Sequence, residues 1–271
     1  LDENELDASD RDEDALLFAS ILLEKDELAI SKFLILLEKD DDAKDNDDDA
    51  LLLASILDEN EDDAISKFFI LEENELEAND NDESIRVTII RGAGKAFCAG
   101  YDLKSNTNLD RPFHTAGGDG SWARHVVDGA FRVWDLAKPV IAQVHGYCLA
   151  GGTELATSCD LVYVAEDAQI GYPVVRSMSP PDNQFFPWIV GMRRAMEMML
   201  TGDAITGTEA VQHGFANRAF PIDQLETEVL RVAEKVAKVP TDLEQMNKRA
   251  VHRQMELMGM RAAIRQGTEI Q

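Results

Sequence analysis

The run Ile85-Arg86-Val87-Thr88-Ile89-Ile90 leads directly into Arg91-Gly92-Ala93-Gly94. A short β-branched run stopped by two glycines reads as a buried strand and its turn. The same alternation continues downstream. Between Trp122 and Leu136 the spacing puts Val126, Ala130, Val133 and Trp134 on one helical face, and Pro139-Val140-Ile141-Ala142-Gln143-Val144 follows as a second buried strand. A short helix from about Gly152 to Ser158 precedes a third strand, Leu161-Val162-Tyr163-Val164. Strands and helices that take turns in this way predict an α/β fold.

The last third reads as helices. Thr206 with Glu209 and Thr241 with Glu244 have capping-box spacing, Asp223 with Glu226 offers a similar start, and Gly214 and Gly259 stand where helices stop. Leu225, Val229, Val232 and Val236 form one apolar stripe, suited either to the core or to a subunit interface.

The formal net charge of −26 is unevenly spread. Residues 1–84 hold 31 acidic and 6 basic side chains, leaving 21 and 20 for residues 85–271. So acidic a chain repels nucleic acid and anionic membrane surfaces, and neither is an expected partner. Cys98, Cys148 and Cys159 show no CxxC or Cys/His metal spacing, and a chain of 271 residues needs no disulfide staples, which points to a reducing cytosol. With an acidic start at Leu1-Asp2-Glu3 and no apolar run of membrane-spanning length, neither secretion nor insertion is expected.

Residues 1–84 draw on only ten residue types, with no Gly, Pro, Val, Thr, His or Tyr. Ala15-Leu16-Leu17-Phe18-Ala19-Ser20 returns as Ala50-Leu51-Leu52-Leu53-Ala54-Ser55, and Ala29-Ile30-Ser31-Lys32-Phe33 as Ala64-Ile65-Ser66-Lys67-Phe68, both offset by 35. Two copies are too few for a solenoid, and turn residues are missing. Two readings stand side by side: an acidic low-complexity extension, and a stretch of doubtful residue identity.

Two longer motifs carry chemistry. Lys95-Ala96-Phe97-Cys98-Ala99-Gly100-Tyr101-Asp102-Leu103 and Lys138-Pro139-Val140-Ile141-Ala142-Gln143-Val144-His145-Gly146-Tyr147-Cys148-Leu149-Ala150-Gly151-Gly152-Thr153-Glu154-Leu155 resemble the crotonase (enoyl-CoA hydratase/isomerase) family. The resemblance continues through Cys159-Asp160-Leu161-Val162-Tyr163 and through Leu200-Thr201-Gly202-Asp203, Glu209-Ala210 and Gly214, spanning residues 85–271. It does not reach residues 1–76, where the family would place its opening strands and first long helix.

The resemblance implies a site that holds a thioester carbonyl while negative charge builds on its oxygen. Two backbone N–H groups, at Tyr101 and Gly151, are the implied donors. Ala150-Gly151-Gly152 opening a helix suits this, because glycine lets the backbone approach a ligand and a helix N-terminus favours negative charge. The plain alternative is a tight strand-to-helix connection. Glu154 matches the family's first catalytic glutamate, the alternative being a surface glutamate in a helix's first turn.

The second hydratase glutamate should follow a proline, yet Tyr172-Pro173 is followed by Val174, which can neither take nor give a proton. Asp182, in Ser179-Pro180-Pro181-Asp182-Asn183-Gln184, stands where related dienoyl-CoA isomerases carry an aspartate; it is a candidate partner for Glu154 or else a solvent-facing turn residue. Val174, Phe185, Phe186 and Trp188 are candidates for the acyl pocket, with an ordinary core as the alternative for the aromatics.

For coenzyme A, the resemblance places the adenine near Ala96, Cys98 and Ala99 and the phosphates near Lys95 and Lys104. Gly92-Ala93-Gly94-Lys95 is not a P-loop, since Ile89 stands where GxxxxGK begins and Ala96 replaces Ser or Thr. The five histidines form no metal-spaced cluster, and His145 reads as a hydrogen-bonded structural residue.

The implied fold is α/β: a crotonase (ClpP-like) ββα spiral core over residues 85–200, with a helical trimerisation region over residues 201–271. Residues 1–84 stand in place of the first strands and helix. The expected activity is an enoyl-CoA hydratase-like lyase reaction on an acyl-CoA, with no metal and no cofactor beyond the coenzyme A of the substrate. A crotonase-type isomerase or C–C hydrolase using Glu154 with Asp182 is the second reading, and a non-catalytic acyl-CoA-binding subunit the third. A cytoplasmic homotrimer or hexamer is the expected form.

Overall fold

A computed structural model describes residues 33–35, 53–59, 73–101 and 122–268. Six strands form the main sheet in spatial order: β1 (Phe33–Ile35), β2 (Leu53–Glu59), β3 (Ile85–Gly92), β4 (Val140–Val144), β6 (Leu161–Ala165) and β9 (Arg218–Phe220). β1 pairs antiparallel with β2, and every later neighbour is parallel. A smaller sheet joins β5 (Tyr147–Leu149) to β7 (Gln169–Gly171) in parallel and β7 to β8 (Ile205–Thr206) antiparallel.

The strand runs read from sequence are central strands. All five residues of β4 are buried, as are Val87, Ile89 and Ile90 of β3, and a parallel strand covered on both faces needs such a continuous apolar run. Each fully buried aliphatic side chain contributes roughly 1.5–3 kcal/mol. The sheet also extends upstream of Ile85, because β2 lies beside β3 with Ala54 opposite Val87 and Ile56 opposite Ile89. Helix α1 (Glu73–Asn81) docks there too: Leu76 is buried, and the Asp80 carboxylate accepts the N–H groups of Ala137 (2.9 Å) and Lys138 (2.7 Å) just before β4.

Helix α2 (Trp122–Asp135) buries Val126, Val127, Ala130, Phe131 and Val133, close to the expected face; Trp134 instead stacks on His252 with ring centroids 3.7 Å apart. After α3 (Gly151–Ser158) come α4 (Phe186–Ile189), α5 (Gly191–Thr201), α6 (Gly207–His213), α7 (Ile222–Ala237), α8 (Thr241–Leu257) and α9 (Met260–Thr268). The stripe on α7 serves the core: Leu225, Val229 and Ala233 are buried, with Val232 and Val236 packed at the margin.

Of the three expected helix starts, one is a capping box. Thr206 Oγ1 accepts the Glu209 N–H at 3.2 Å while the Glu209 carboxylate accepts the Thr206 N–H at 2.8 Å. Thr206→Ala should therefore lower stability by about 1 kcal/mol, read as a fall in Tm. The other two starts are corrected by proline. Pro221 and Pro240 occupy the cap positions with φ of −51° and −52°, so α7 begins at Ile222 and α8 at Thr241, and neither Asp223 nor Thr241 is left outside to cap. Gly214 and Gly259 end their helices with φ of 82° and 97°.

Asp160, just before β6, joins the C-terminal helices to the sheet. Its carboxylate accepts the Val140 N–H (2.8 Å) and the buried Lys248 ammonium (2.7 Å), and lies 3.1 Å from His252 Nε2. Beyond α8, Met260 and Ile264 of α9 pack with Val127, Phe131 and Phe185 in a second apolar cluster. Thr268 Oγ1, near the end of α9, donates to the Asp182 carbonyl at 3.1 Å. The C-terminal helices thus reach the loop that carries Asp182.

Candidate active site

The site forms where β5 ends and α3 begins. Segment 97–98 runs beside this junction: the Phe97 N–H donates to the His145 carbonyl (2.8 Å), the Cys98 N–H to the Tyr147 carbonyl (3.0 Å), and the Leu149 N–H to the Cys98 carbonyl (2.9 Å). Gly152 permits the approach, because a Cβ there would lie 2.3 Å from the Cys98 carbonyl oxygen. Gly100, at φ 115°, turns the segment past α3: a Cβ added to it would sit 3.0 Å from the Ala150 methyl and 3.7 Å from the Gly151 nitrogen. Ala150 itself holds φ 49° and ψ −123°, a conformation that costs a non-glycine residue on the order of 1–3 kcal/mol. The Gly100 position and the start of α3 are thereby brought close together from segments about fifty residues apart in the chain.

Glu154 lies three residues beyond Gly151 on α3, so its side chain projects from the same side of the helix as the Gly151 position. It is fully buried. Its Oε2 accepts the Tyr101 hydroxyl; its Oε1 accepts the Tyr172 hydroxyl at 3.3 Å and the Asn183 N–H at 3.2 Å. Asp182 is also buried, and its N–H adds a further hydrogen bond to the Glu154 carboxylate. A carboxylate taken from water beside another one resists ionisation. Burial first, and the charge of Asp182 second, push the Glu154 carboxyl up to about 8, against the opposing pull of its hydrogen bonds. The Tyr101 and Tyr172 phenols are pushed far above their ordinary value, chiefly by burial and then by the Glu154 charge, and so remain hydrogen-bond donors.

The Glu154 carboxyl therefore keeps its proton to near neutrality, the range in which such a group can both give and take one. Glu154 is no surface helix glutamate, and Asp182 is no solvent-facing turn residue. Sequence reasoning missed the side chains of Tyr101, Tyr172 and Asn183. No local signal marked them: Tyr172 precedes Pro173, which favours an extended backbone, yet the structure holds it at φ −125° and ψ 65°, off the extended region. Asn183 is fully buried with neither side-chain amide atom paired among the described residues, an expensive arrangement that a bound water or substrate atom would relieve.

The remaining candidates fall into three groups. Val174 sits half-buried in a single 3₁₀ turn, Pro173–Arg176, packed against the core. Phe186 meets Tyr172 edge-on (6.4 Å) and stacks on Phe215 (6.3 Å), so it is one ring removed from Glu154; Phe185 packs on Phe131 and Trp134 at 5.7 Å, with Trp188 beside that cluster. Along the neighbouring segment Lys95 and Ala99 are exposed, Ala96 half-buried and Cys98 buried, while Lys104, like Asp102 and Leu103, lies outside the described residues. His145 Nε2 lies 3.1 Å from the Gly94 carbonyl, the structural role expected of it.

The profile of the enoyl-CoA hydratase/isomerase family matches residues 55–270. A putative enoyl-CoA hydratase of Mycobacterium tuberculosis is 34% identical over 201 residues, covering 67% of this chain and 63% of that protein. The mitochondrial enoyl-CoA hydratase of Pongo abelii is 33% identical over 181 residues, 64% of this chain and 59% of that one. Each match thus spans about 60% of the relative's length. Among solved structures, a probable enoyl-CoA hydratase from Mycobacterium thermoresistibile superposes with a TM-score of 0.70 at 30% identity, covering 81% of this chain and 90% of that one. An enoyl-CoA hydratase/isomerase from Xanthobacter autotrophicus Py2 does so with 0.70 at 32%, covering 80% and 82%. The chain belongs to the enoyl-CoA hydratase/isomerase family, the crotonase superfamily, and has its fold. The match begins at residue 55, upstream of the motifs that first disclose it.

Proposed function

We propose that the chain acts on an acyl-CoA thioester as an enoyl-CoA hydratase-like enzyme. In this reading the N–H groups of Tyr101 and Gly151 receive the thioester oxygen, and Glu154 is the acid/base. Hydration adds the hydroxyl of water at C3 of a 2-enoyl thioester and a proton at C2, and one carboxyl that takes the first proton can return one to carbon. The observation that carries the proposal is Glu154 itself: a fully buried, proton-retaining carboxyl one helical turn from the Gly151 N–H. Coenzyme A would lie along Lys95, Ala96, Cys98, Ala99 and Lys104. The acyl group would enter toward Val174 and the Phe186 side, with Phe185 and Trp188 behind.

A homotrimer or hexamer in a reducing compartment completes the reading. Met192, Met196 and Leu200 form an exposed apolar stripe along α5, the kind of surface that subunit contact covers, and the three cysteines are buried and form no disulfide.

One observation favours the second reading, a crotonase-type isomerase or C–C hydrolase: Asp182 stands buried beside Glu154 where Val174 supplies no proton group. Asp182→Asn separates the two. The charge of Asp182 raises the proton affinity of Glu154, so its removal should move the low-pH limb of the rate profile to lower pH while crotonyl-CoA hydration persists. Loss of the 2-enoyl absorbance reads that rate. Hydration absent from the wild type, with dienoyl or β-diketone thioesters turned over and Asp182→Asn slowed by about 10²- to 10⁴-fold, would transfer the assignment to the second reading.

A further inference from the structure

Glu154 has four donors for two oxygens: the Tyr101 and Tyr172 hydroxyls and the N–H groups of Asp182 and Asn183. A carboxylate offers about four acceptor positions, so this one is filled by the protein itself. Two of the four donors are fixed main-chain groups. Of the phenols, Tyr172 is locked against Phe186 and donates at the longer distance, 3.3 Å. Tyr101 is different. It is half-buried, follows Gly100 in the segment that skirts the start of α3, and closes on Oε2, the oxygen that Tyr172 and Asn183 do not reach.

We propose that the Tyr101 phenol is a positioning residue for Glu154: it occupies the acceptor position that a reacting water or substrate proton must use, and by donating there it sets which protonation state of Glu154 meets the substrate. This rests on the assignment of Glu154 as acid/base. Val174 leaves the chain without a carboxyl at the usual second position, and the phenol supplies a neutral donor to Glu154. One residue then links both halves of the chemistry, its main chain at the thioester oxygen and its hydroxyl at the carboxyl. The groups facing Glu154 are Asp182, which favours its protonated form, and Tyr101, Tyr172 and the two N–H groups, which favour the ionised form. Removal of the Tyr101 hydroxyl alone should raise the proton affinity of Glu154, opposite in sign to removal of the Asp182 charge.

The test does not depend on turnover. In protein labelled with ¹³C at the glutamate side-chain carboxyl, the Glu154 resonance is assigned by its loss in Glu154→Gln and followed against pH. Tyr101→Phe should move its midpoint upward by about one pH unit, and Tyr172→Phe by less. An unmoved midpoint in Tyr101→Phe, or a larger movement in Tyr172→Phe, overturns the proposal. Should Tyr101→Phe fail to fold, 3-fluorotyrosine at position 101, a stronger donor of nearly the same shape, must lower the midpoint, and no change again overturns it. Enoyl thioester turnover measured on the same samples keeps the two ideas apart. A shifted midpoint in an inactive wild type sinks the hydratase assignment and leaves the phenol's role; an active wild type with an unmoved midpoint does the reverse.

Discussion

Glu154→Gln is expected to cost about 10²- to 10⁴-fold in kcat on a 2-enoyl thioester, with KM little changed, while making the protein more stable at alkaline pH. The two effects share one cause. The folded protein holds the Glu154 carboxyl at about 8, against 4.5 for an ordinary glutamate. Between those values the unfolded chain has released a proton that the folded chain keeps, so stability falls as pH rises through the window and levels off above it. Glutamine has no proton to lose. The variant should be the more stable by on the order of a few kcal/mol at pH 8 and above, and equal to the wild type near pH 4. Thermal melts across that range give the comparison. Part of the wild-type slope should survive, because Glu244, buried without a hydrogen-bond partner and pushed up to about 7 chiefly by burial, has the same sign. A Glu154→Gln protein with full turnover would remove the carboxyl from the chemistry altogether.

Gly152→Ala should be the most disruptive single methyl in the site. The added carbon would meet the Cys98 carbonyl oxygen at 2.3 Å and the Cys98 carbonyl carbon at 3.0 Å, and neither can rotate away as a side-chain end would. Either the fold loses about 3 kcal/mol, or segment 97–101 retreats from α3 and takes the Tyr101 N–H with it. The second outcome should lower kcat by about 10²- to 10³-fold, the usual consequence of losing one oxyanion donor. Gly267→Ala is the control. A Cβ there meets only the Gln184 side chain, at 3.4 Å, and inside α9 the change should be neutral or stabilising by up to about 1 kcal/mol. Melting curves and initial rates on the two variants test the contrast.

The central strands were readable because β-branched runs such as Ile85–Ile90 have few other uses, and α3 because two glycines before Thr153-Glu154 mark both a turn and a close approach. Strand β2 was hidden: Leu53–Glu59 is embedded in an acidic repeat whose composition looks unstructured, although its backbone pairs with β3, in continuous register from Ala54 to Glu59. The capping box read at Thr206 is present, and the starts read at Asp223 and Thr241 are not caps, because a proline immediately upstream takes over the cap position. The encirclement of Glu154 could not be read at all. Tyr172 and Asn183 come to it from 18 and 29 residues away, by a path that depends on β6, β7 and the anchoring of α9 to the Asp182 loop. Local pattern carries elements; such convergence is settled by tertiary packing.

A side chain at position 100 would meet the Ala150 methyl at 3.0 Å, so the two segments fit closely only because Gly100 carries none. With a strained dihedral on one side and a residue lacking any side chain on the other, neither segment can shift without pushing its counterpart. What the fold obtains by enduring the unfavourable angle at Ala150 is a tight seam between the Gly100 segment and the first turn of α3, closed on the side from which Glu154 projects.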